Sequence, residues 1–283
     1  MNEKLSHNNN PVLLVGCGHM GRALALGWLK AGLGPKALYI VDPALDVDAR
    51  PDLLADLPAT NIAPNADALD VTLVPRAIVL AVKPQLMAQI LPSVAAFAGK
   101  DALVISIAAG VTLAELQASI NADVALVRAM PNMPAAIGAG ITGMTASSDI
   151  AEGQKRLAND LLAAIGETVW IGDEALMDAV TAVSGSGPAY LFHLVESMAA
   201  AGVEQGLCEG VAMRLARQTV IGSAQLLASE SKISAAELRE RVTSPGGTTA
   251  AALAILMQAD GGMDTLMKKA IATARKRGAE LAS

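Results

Sequence analysis

Residues 11–32, "PVLLVGCGHMGRALALGWLKAG", constrain the fold more than any other stretch of the chain. They open with a short apolar run, turn on glycines, and continue with helical periodicity to Gly32. Gly16, Gly18 and Gly21 have the spacing Gly-x-Gly-x-x-Gly between the apolar run and the helix. In that context the pattern predicts a strand, a tight turn and a helix whose first amides face an anion. A glycine turn that only packs the helix on the strand is the structural alternative.

An acidic residue ends the next apolar run, "ALYIVDP", and turns this pattern into a dinucleotide fingerprint. Gly16 would make the turn, Gly18 would let backbone approach the pyrophosphate, and Gly21 would let the helix pack on the strand. The loop residues beside the phosphates would be Cys17, His19 and Met20.

That acidic residue, Asp42, predicts which cofactor is used. A carboxylate at the end of the second strand accepts the ribose hydroxyls of NAD and repels the 2′-phosphate of NADP. We therefore expect NADH or NADPH as cofactor, with Asp42 favouring NADH. Arg50 in the following loop would be able to accommodate the phosphate, and Asp42 before Pro43 also fits a simple turn residue.

Four further apolar runs are continuous rather than alternating, which is typical of parallel strands covered on both faces. They cover residues 77–84, 102–110, 124–132 and 167–172, and helical stretches separate them. This order predicts an α/β fold with a doubly wound, mostly parallel Rossmann-type sheet. No convincing strand follows Gly172. We expect a dinucleotide-binding domain over 1–172 and an all-helical domain over 173–283.

Composition excludes several classes of protein. A net charge of −6 argues against a nucleic-acid partner. The two cysteines, Cys17 and Cys208, form no disulfide framework and lack metal-ligand spacing, so we expect no metal and a cytoplasmic location. The polar start, "MNEKLSHNNN", is no signal peptide, and the uncharged segment 129–148 contains prolines and glycines that exclude a membrane span.

The segment 242–256, "VTSPGGTTAAALAIL", predicts a second anion site. A helix should begin near Thr248, after two glycines that leave the backbone bare. The first amides of such a helix have no internal partner and can hold an anion. The alternative is a glycine turn with a threonine as N-cap.

Two loops and one lysine carry less specific signals. "RAMPNMPA" (128–135) is a rigid, nearly uncharged loop that would either lie against a nicotinamide or simply be ordered by its prolines. "AVSGSGPAY" (182–190) places Pro188 in the first turn of a helix. Lys83 stands at the end of a central strand. It would be either a neighbour of the cofactor or a solvated strand end.

The set of motifs resembles the pyrroline-5-carboxylate reductase family over nearly the whole chain. The shared motifs are "VGCGHMGRAL", "AVKPQ", "SIAAGVTL", "RAMPNMPA", "AVSGSGPAY" and "VTSPGGTT". The resemblance implies reduction of the cyclic imine (S)-1-pyrroline-5-carboxylate to L-proline by NAD(P)H, the last step of proline biosynthesis. It also implies a helical domain that forms a homodimer, with a higher oligomer of dimers left open.

The resemblance also implies site residues. Gly247, Thr248 and Thr249 would bind the substrate, and Thr249 would be the catalytic hydroxyl that positions the imine nitrogen. Besides the loop from Gly16 to Gly21, the cofactor would contact Asn65, Ala81, Val82, Lys83, Pro84, Ala108 and Ala109.

The sequence departs from the family pattern at two places, and two alternative functions are still open. Many members have Glu-His-Pro-Gly where this chain reads "SKISAAELRERV", and many have serine where Asp42 stands. One alternative is another two-domain imine or β-hydroxyacid reductase. A β-hydroxyacid reductase of this layout relies on a catalytic lysine in its helical domain, and no lysine in the helical half of this chain stands in an apolar setting. A non-catalytic NAD(P)H-sensing protein is the other.

The stretch from Ala179 to Val203 predicts the dimer independently of the resemblance. Its single formal charge is Glu196, if His193 is neutral. A helix that is apolar on nearly every face must be buried on nearly every side. A partner subunit would supply the cover that the remaining helices cannot.

Overall fold

The computed structural model of the chain describes residues 10–45, 56–120, 124–148 and 150–281, together with Leu5 and Leu54. Arg50 lies outside the described residues, as does the polar N-terminal stretch except for Leu5 and Asn10. The chain divides into two compact units. The first comprises Met1–Gly185 and Arg275–Ser283, and the second comprises Ser186–Ala274. The predicted domain boundary at 172/173 stays a prediction.

Within the described residues, eight strands form one sheet in the first unit. The strands are β1 (Val12–Val15), β2 (Leu38–Val41), β3 (Ile62–Ala63), β4 (Ala77–Leu80), β5 (Leu103–Ser106), β6 (Ala125–Met130), β7 (Gly140–Ala146) and β8 (Gly166–Trp170).

The described α-helices are α1 (His19–Lys30), α2 (Met87–Ala95), α3 (Leu113–Ile120), α4 (Glu152–Ala163), α5 (Met177–Val180), α6 (Gly187–Glu204), α7 (Glu209–Ser229), α8 (Ala235–Arg241), α9 (Thr248–Leu256) and α10 (Met263–Leu281). A π-helix, Thr181–Gly185, lies between α5 and α6.

The strand order is β3-β2-β1-β4-β5-β6-β7-β8. All neighbouring strands are parallel except β6 and β7, which are antiparallel. The order reverses direction between β1 and β4, which is the topological switch point where such sheets bind ligands. The predicted doubly wound, mostly parallel sheet is confirmed.

The core lies on both faces of this sheet, as the continuous apolar runs predict. Along β1, Val12 and Leu14 pack into one core cluster, and Leu13 and Val15 pack into another. The first cluster contains the fully buried Trp28 of α1, whose indole Nε1 donates to the Leu161 carbonyl oxygen of α4 at 2.7 Å. This bond fixes α1, and with it the loop before α1, against the layer of helices on that face.

Strands β3 and β7 are not among the strands predicted from the sequence. β7 contains glycines because its neighbours lie too close for a side chain, and glycine weakens a local strand signal. A Cβ on Gly143 would lie 2.5 Å from Cγ1 of Val180, and a Cβ on Gly140 would lie 2.9 Å from the backbone of Ala135. These contacts are tertiary, so the local pattern does not reveal them.

The second unit is helical throughout its described residues. Helices α6 and α7 pack through the buried alanines Ala199, Ala212 and Ala216, whose small side chains allow a close approach. Leu191 and Phe192 of α6 are nonetheless 52% and 56% exposed. A single chain therefore leaves much of this apolar helix uncovered. Across the described part of the chain, we find no helix with the length and apolar character to span a bilayer.

Candidate active site

Four loops that carry predicted cofactor residues meet at the carboxyl edge of the sheet. Backbone hydrogen bonds continue the pairing just past the strand ends and hold these loops side by side. The bonds run from Gly16 N to Val41 O (2.7 Å), from Ala81 N to Val15 O (2.7 Å) and from Ile107 N to Leu80 O (3.0 Å). The loops after β1 and β4 flank the switch point itself.

The three glycines of the first loop lie in different surroundings, and each allows something different. Gly16 has φ +93°, and a Cβ there would lie 2.8 Å from the backbone of Ala81. A Cβ on Gly21 would collide with the Gly16 carbonyl oxygen, so this glycine brings α1 close to the strand. A Cβ on Gly18 would meet nothing within 4 Å. The backbone at Gly18 is therefore open to a ligand.

The first turn of α1 suits an anionic group. Gly18 is the N-cap, no side chain caps the helix, and its first turn contains no acidic residue. Unpaired amides and the positive end of the helix dipole then point toward the open side of the loop. These residues fit the pyrophosphate of a dinucleotide.

Asp42 stabilises the same loop. Its Oδ2 accepts a hydrogen bond from the Cys17 amide at 2.5 Å, and its Oδ1 accepts one from the Ala44 amide at 2.8 Å. The Cys17 amide is thus committed to Asp42 rather than to a phosphate. Burial, with a further contribution from the Asp42 charge, raises the pKa of the Cys17 thiol to about 11. The thiol is therefore protonated at neutral pH and supplies no nucleophile.

The remaining predicted cofactor residues lie in the neighbouring loops. Lys83 is exposed and precedes the 3₁₀ helix Pro84–Leu86. Ala108 is buried and Ala109 is exposed after β5. Asn65 follows β3, and its Oδ1 accepts a hydrogen bond from the Ala68 amide at 3.1 Å. The side-chain oxygen of Asn65 therefore already has a hydrogen-bond partner in its own loop.

In the second unit, the predicted substrate turn starts helix α9 at Thr248, where the sequence places it. Gly246 has φ +70°, and a Cβ on Gly247 would lie 2.5 Å from Oγ of Ser244. Gly247 is the N-cap, without a side-chain capping bond and without an acidic residue in the first turn. The alternative in which a threonine caps this helix is therefore wrong. The first amides of α9 remain available to an anion.

The Thr249 hydroxyl differs from the hydroxyls of Thr219 and Thr273, which lie further along their helices. Thr219 Oγ1 donates to the Leu215 carbonyl oxygen at 2.8 Å, and Thr273 Oγ1 donates to that of Lys269 at 2.8 Å. Within the described residues, the Thr249 hydroxyl makes no such hydrogen bond. It stands at the start of α9 and is half-buried. Its donor and acceptor capacity is therefore available to a ligand.

Sequence reasoning missed a buried ion cluster beside this edge of the first unit. Arg128 of β6 has a buried side chain, with Nη1 3.1 Å from Oε1 of Glu174 and Nη2 3.7 Å from Oδ1 of Asp178. Glu174 Oε1 also accepts from the Leu113 amide at 2.9 Å. The cluster joins β6, α3 and the start of α5. A lone arginine in the apolar run "VALVRAM" was the signal for it.

The switch-point glycine loop, the uncapped α1 and Asp42 define a dinucleotide-binding protein of the Rossmann type. Two family models match the chain. The model described as "NADP oxidoreductase coenzyme F420-dependent" covers residues 11–110, and "Pyrroline-5-carboxylate reductase dimerisation" covers residues 174–281. The class is therefore an oxidoreductase with a dinucleotide domain and a dimerisation domain.

Known proteins narrow this class. The pyrroline-5-carboxylate reductase of Pseudomonas aeruginosa is 40% identical over 273 residues, covering 96% of each chain. A solved pyrroline-5-carboxylate reductase from Coxiella burnetii has a TM-score of 0.88 and 32% identity, covering 98% of this chain and 100% of that one. The Plasmodium falciparum enzyme, solved with NADP bound, has a TM-score of 0.79 and 28% identity, covering 97% and 99%.

The chain belongs to the pyrroline-5-carboxylate reductase family. The sequence-based predictions of this family, of an NAD(P)-dependent oxidoreductase and of its fold class are confirmed.

Proposed function

We propose that this chain reduces (S)-1-pyrroline-5-carboxylate to L-proline with NAD(P)H, as the last step of proline biosynthesis. Membership of the family supports the reaction. The observation that carries the site is the uncapped start of α9, where Thr249 offers a hydroxyl that has no partner among the described residues. A domain division at 172/173 belongs to the same proposal, and the dimerisation model that begins at residue 174 supports it.

The substrate's two polar groups match the start of α9. Its carboxylate would accept hydrogen bonds from the backbone amides of Thr248 and Thr249, at the positive end of the helix dipole. The Gly247 amide donates to the Ser244 carbonyl oxygen at 3.1 Å, so Gly247 would leave room for the carboxylate rather than donate to it. In the substrate, one carbon separates the carboxylate from the imine nitrogen. A hydroxyl beside the carboxylate site can therefore reach that nitrogen and hold or share its proton. Thr249 provides this hydroxyl, whereas Ala250 after it provides none.

The dinucleotide would lie at the carboxyl edge of the sheet. The amides at the start of α1 would hold its pyrophosphate, and the loop residues Ala81–Pro84, Ala108 and Ala109 would line the path of the cofactor. When bound, NAD(P)H supplies the hydride that reduces the imine carbon. The protein's contribution is to orient donor and acceptor, which can lower the barrier by several kcal/mol.

We propose NADH as the better cofactor because of Asp42. Its carboxylate closes the loop where the adenosine ribose of a dinucleotide lies in such folds, and it would repel a 2′-phosphate there. The Plasmodium falciparum relative was solved with NADP bound, so a preference for NADPH is the alternative outcome of the cofactor comparison.

The proposal also includes a homodimer that forms through the helical domain. A higher oligomer built from such dimers is a second assembly under the same proposal. The exposed apolar residues of α6 support a partner subunit. The low cysteine count supports a cytoplasmic location.

The test is a spectrophotometric assay of the purified protein with NADH and with NADPH. Oxidation that depends on pyrroline-5-carboxylate, with proline as product, is the expected result. Oxidation with β-hydroxyacid or 2-oxoacid substrates instead would favour another reductase. Tight NADH binding without oxidation in the presence of any of these substrates would favour a sensing protein and would overturn the proposal.

A further inference from the structure

Two motifs singled out in the sequence, "RAMPNMPA" and "AVSGSGPAY", meet through one side chain. Asn132 lies in the loop after β6, and its Nδ2 donates to the Ser184 carbonyl oxygen at 3.1 Å. Its Oδ1 accepts from the Ile141 amide at the start of β7, at 2.9 Å. The asparagine thus uses both ends of its amide, and each end contacts a different element.

Ser184 needs this donor because of Pro188. In an α-helix the carbonyl of residue 184 would accept from the amide of residue 188, but proline has no N–H. In π-helical pairing the donor would be Ala189, whose amide instead donates to Ser186 at 3.0 Å. The Ser184 carbonyl therefore has neither its α-helical nor its π-helical donor, and the Asn132 side chain donates to it instead.

The π-helix is also held on its other sides within the first unit. A Cβ on Gly185 would lie 3.0 Å from the Met130 side chain, and Val180 fills the space over Gly143. Ser184 Oγ donates back to the Val180 carbonyl oxygen at 2.9 Å. Irregular π turns inside helices often occur at functional sites.

The loop that carries Asn132 belongs to the cofactor edge. β6 ends at the same edge as β5, and the 3₁₀ helix Met133–Ile137 that follows Asn132 packs against α1. Ser184 and Gly185 are the last residues of the first unit before the chain enters the second, which contains the substrate turn.

We propose that Asn132 is a positioning residue: it holds Ser184 and Gly185, the end of the π-helix, at the cofactor edge of the sheet within the first unit. Its role in the reaction rests on the proposed function. Without its donor, the Ser184 carbonyl would have to bind water, and the end of the π-helix would lose its fixed place in the first unit. Turnover of the imine should then fall while dinucleotide binding remains.

Asn132→Asp is the sharpest variant, because it keeps the acceptor for Ile141 and replaces the donor with an oxygen that repels the Ser184 carbonyl. We expect kcat/KM for pyrroline-5-carboxylate to fall at least tenfold and the Kd of NADH to change less than twofold. Hydrogen exchange of a peptide covering 181–190 should become faster. Asn132→Ala, which adds no charge, should show the same changes and serves if the aspartate variant does not fold.

Asn61 supplies a matched control. It is buried in the same unit, and its Nδ2 donates to the carbonyl oxygens of Lys36 and Leu38 at 3.1 and 3.0 Å. Asn61→Asp loses equivalent bonds before β3, so it should lower the melting temperature but leave kcat/KM and exchange at 181–190 unchanged.

A second arm tests the physical reason. Pro188→Ala gives the helix an amide for the Ser184 carbonyl, so Asn132→Ala should slow turnover and speed exchange less in that background than alone. Unchanged exchange at 181–190 in Asn132→Ala, or wild-type kinetics in both Asn132 variants, would overturn the proposal. If the wild-type chain does not reduce the imine, the proposed function fails, and the exchange comparison still decides whether Asn132 fixes this segment.

Discussion

Replacing Thr249 by alanine removes one hydroxyl from the proposed imine site with little cost to the fold. That hydroxyl makes no hydrogen bond within the described residues, and Gly247, not a threonine, is the N-cap of α9. Alanine is also a better helix former than threonine by a few tenths of a kcal/mol. We therefore expect the melting temperature of Thr249→Ala to stay within about 2 °C of wild type.

The effect on catalysis should be much larger. Removing one preorganised donor from a reacting centre typically lowers turnover about 10²–10³-fold. Here water would partly replace the hydroxyl, so kcat for pyrroline-5-carboxylate should fall about tenfold to hundredfold, or about 1.4–2.7 kcal/mol of barrier. The Kd of NADH, measured by fluorescence, should be unchanged, because the change lies outside the dinucleotide loops.

Two variants control this experiment. Thr249→Ser keeps the hydroxyl and should retain most of the turnover. Thr219→Ala removes a hydroxyl that donates to Leu215 at 2.8 Å and should leave kcat unchanged. A Thr249→Ala enzyme with normal turnover and a lowered melting temperature would refute the catalytic role and leave only a structural one.

Three further predictions follow from charge and exposure. Asp42→Ser should shift the ratio of kcat/KM for NADPH over NADH upward about fivefold or more, since repulsion between unit charges at about 4 Å is about 1 kcal/mol even in water; an unchanged ratio would exclude Asp42 as a determinant. Arg128→Met should lower the free energy of unfolding, measured with urea, by about 2–3 kcal/mol. The change leaves the partly buried carboxylates of Glu174 and Asp178 without their cationic partner; a loss below about 0.5 kcal/mol would contradict this. Phe192→Asp should yield monomeric or insoluble protein, and an active dimer in sedimentation would exclude this part of α6 from the interface.

The sequence predicts the regular part of the fold well because burial on both faces leaves a local trace. The runs ending at Val15, Val41 and Leu80 are continuous apolar stretches, and each is a parallel strand. The start of α9 at Thr248 is equally local, since glycines precede strong helix formers. Local residue chemistry decides each of these elements.

The missed features depend on residues far apart in the chain. β7 needs Gly143 because Val180 packs against it, and no pattern within the strand reveals that neighbour. Asn132 contacts Ser184 across 52 positions, so its residue type alone suggests only a turn between prolines. The bond from the Cys17 amide to Asp42 spans 25 positions. The site residues were therefore predictable as types, and their connections were not.

The helices of the chain differ in how the amides of their first turn are satisfied. The N-cap of α8 is Ser234, whose side chain accepts a hydrogen bond from the Glu237 amide. α10 follows Gly261 and Gly262, but Asp264 in its first turn complements the helix dipole.

By contrast, α1 and α9 follow a glycine N-cap and have neither a capping side chain nor an acid in the first turn. Helices α2 and α6 also lack both features, but their N-caps are Leu86 and Ser186 rather than glycine. Glycine at an N-cap costs only a few tenths of a kcal/mol relative to serine. An acid in the first turn would stabilise α1 or α9 and would also repel an anionic ligand. Leaving both starts bare is therefore consistent with two external anions, a pyrophosphate at α1 and a carboxylate at α9, and the same physical reason accounts for both.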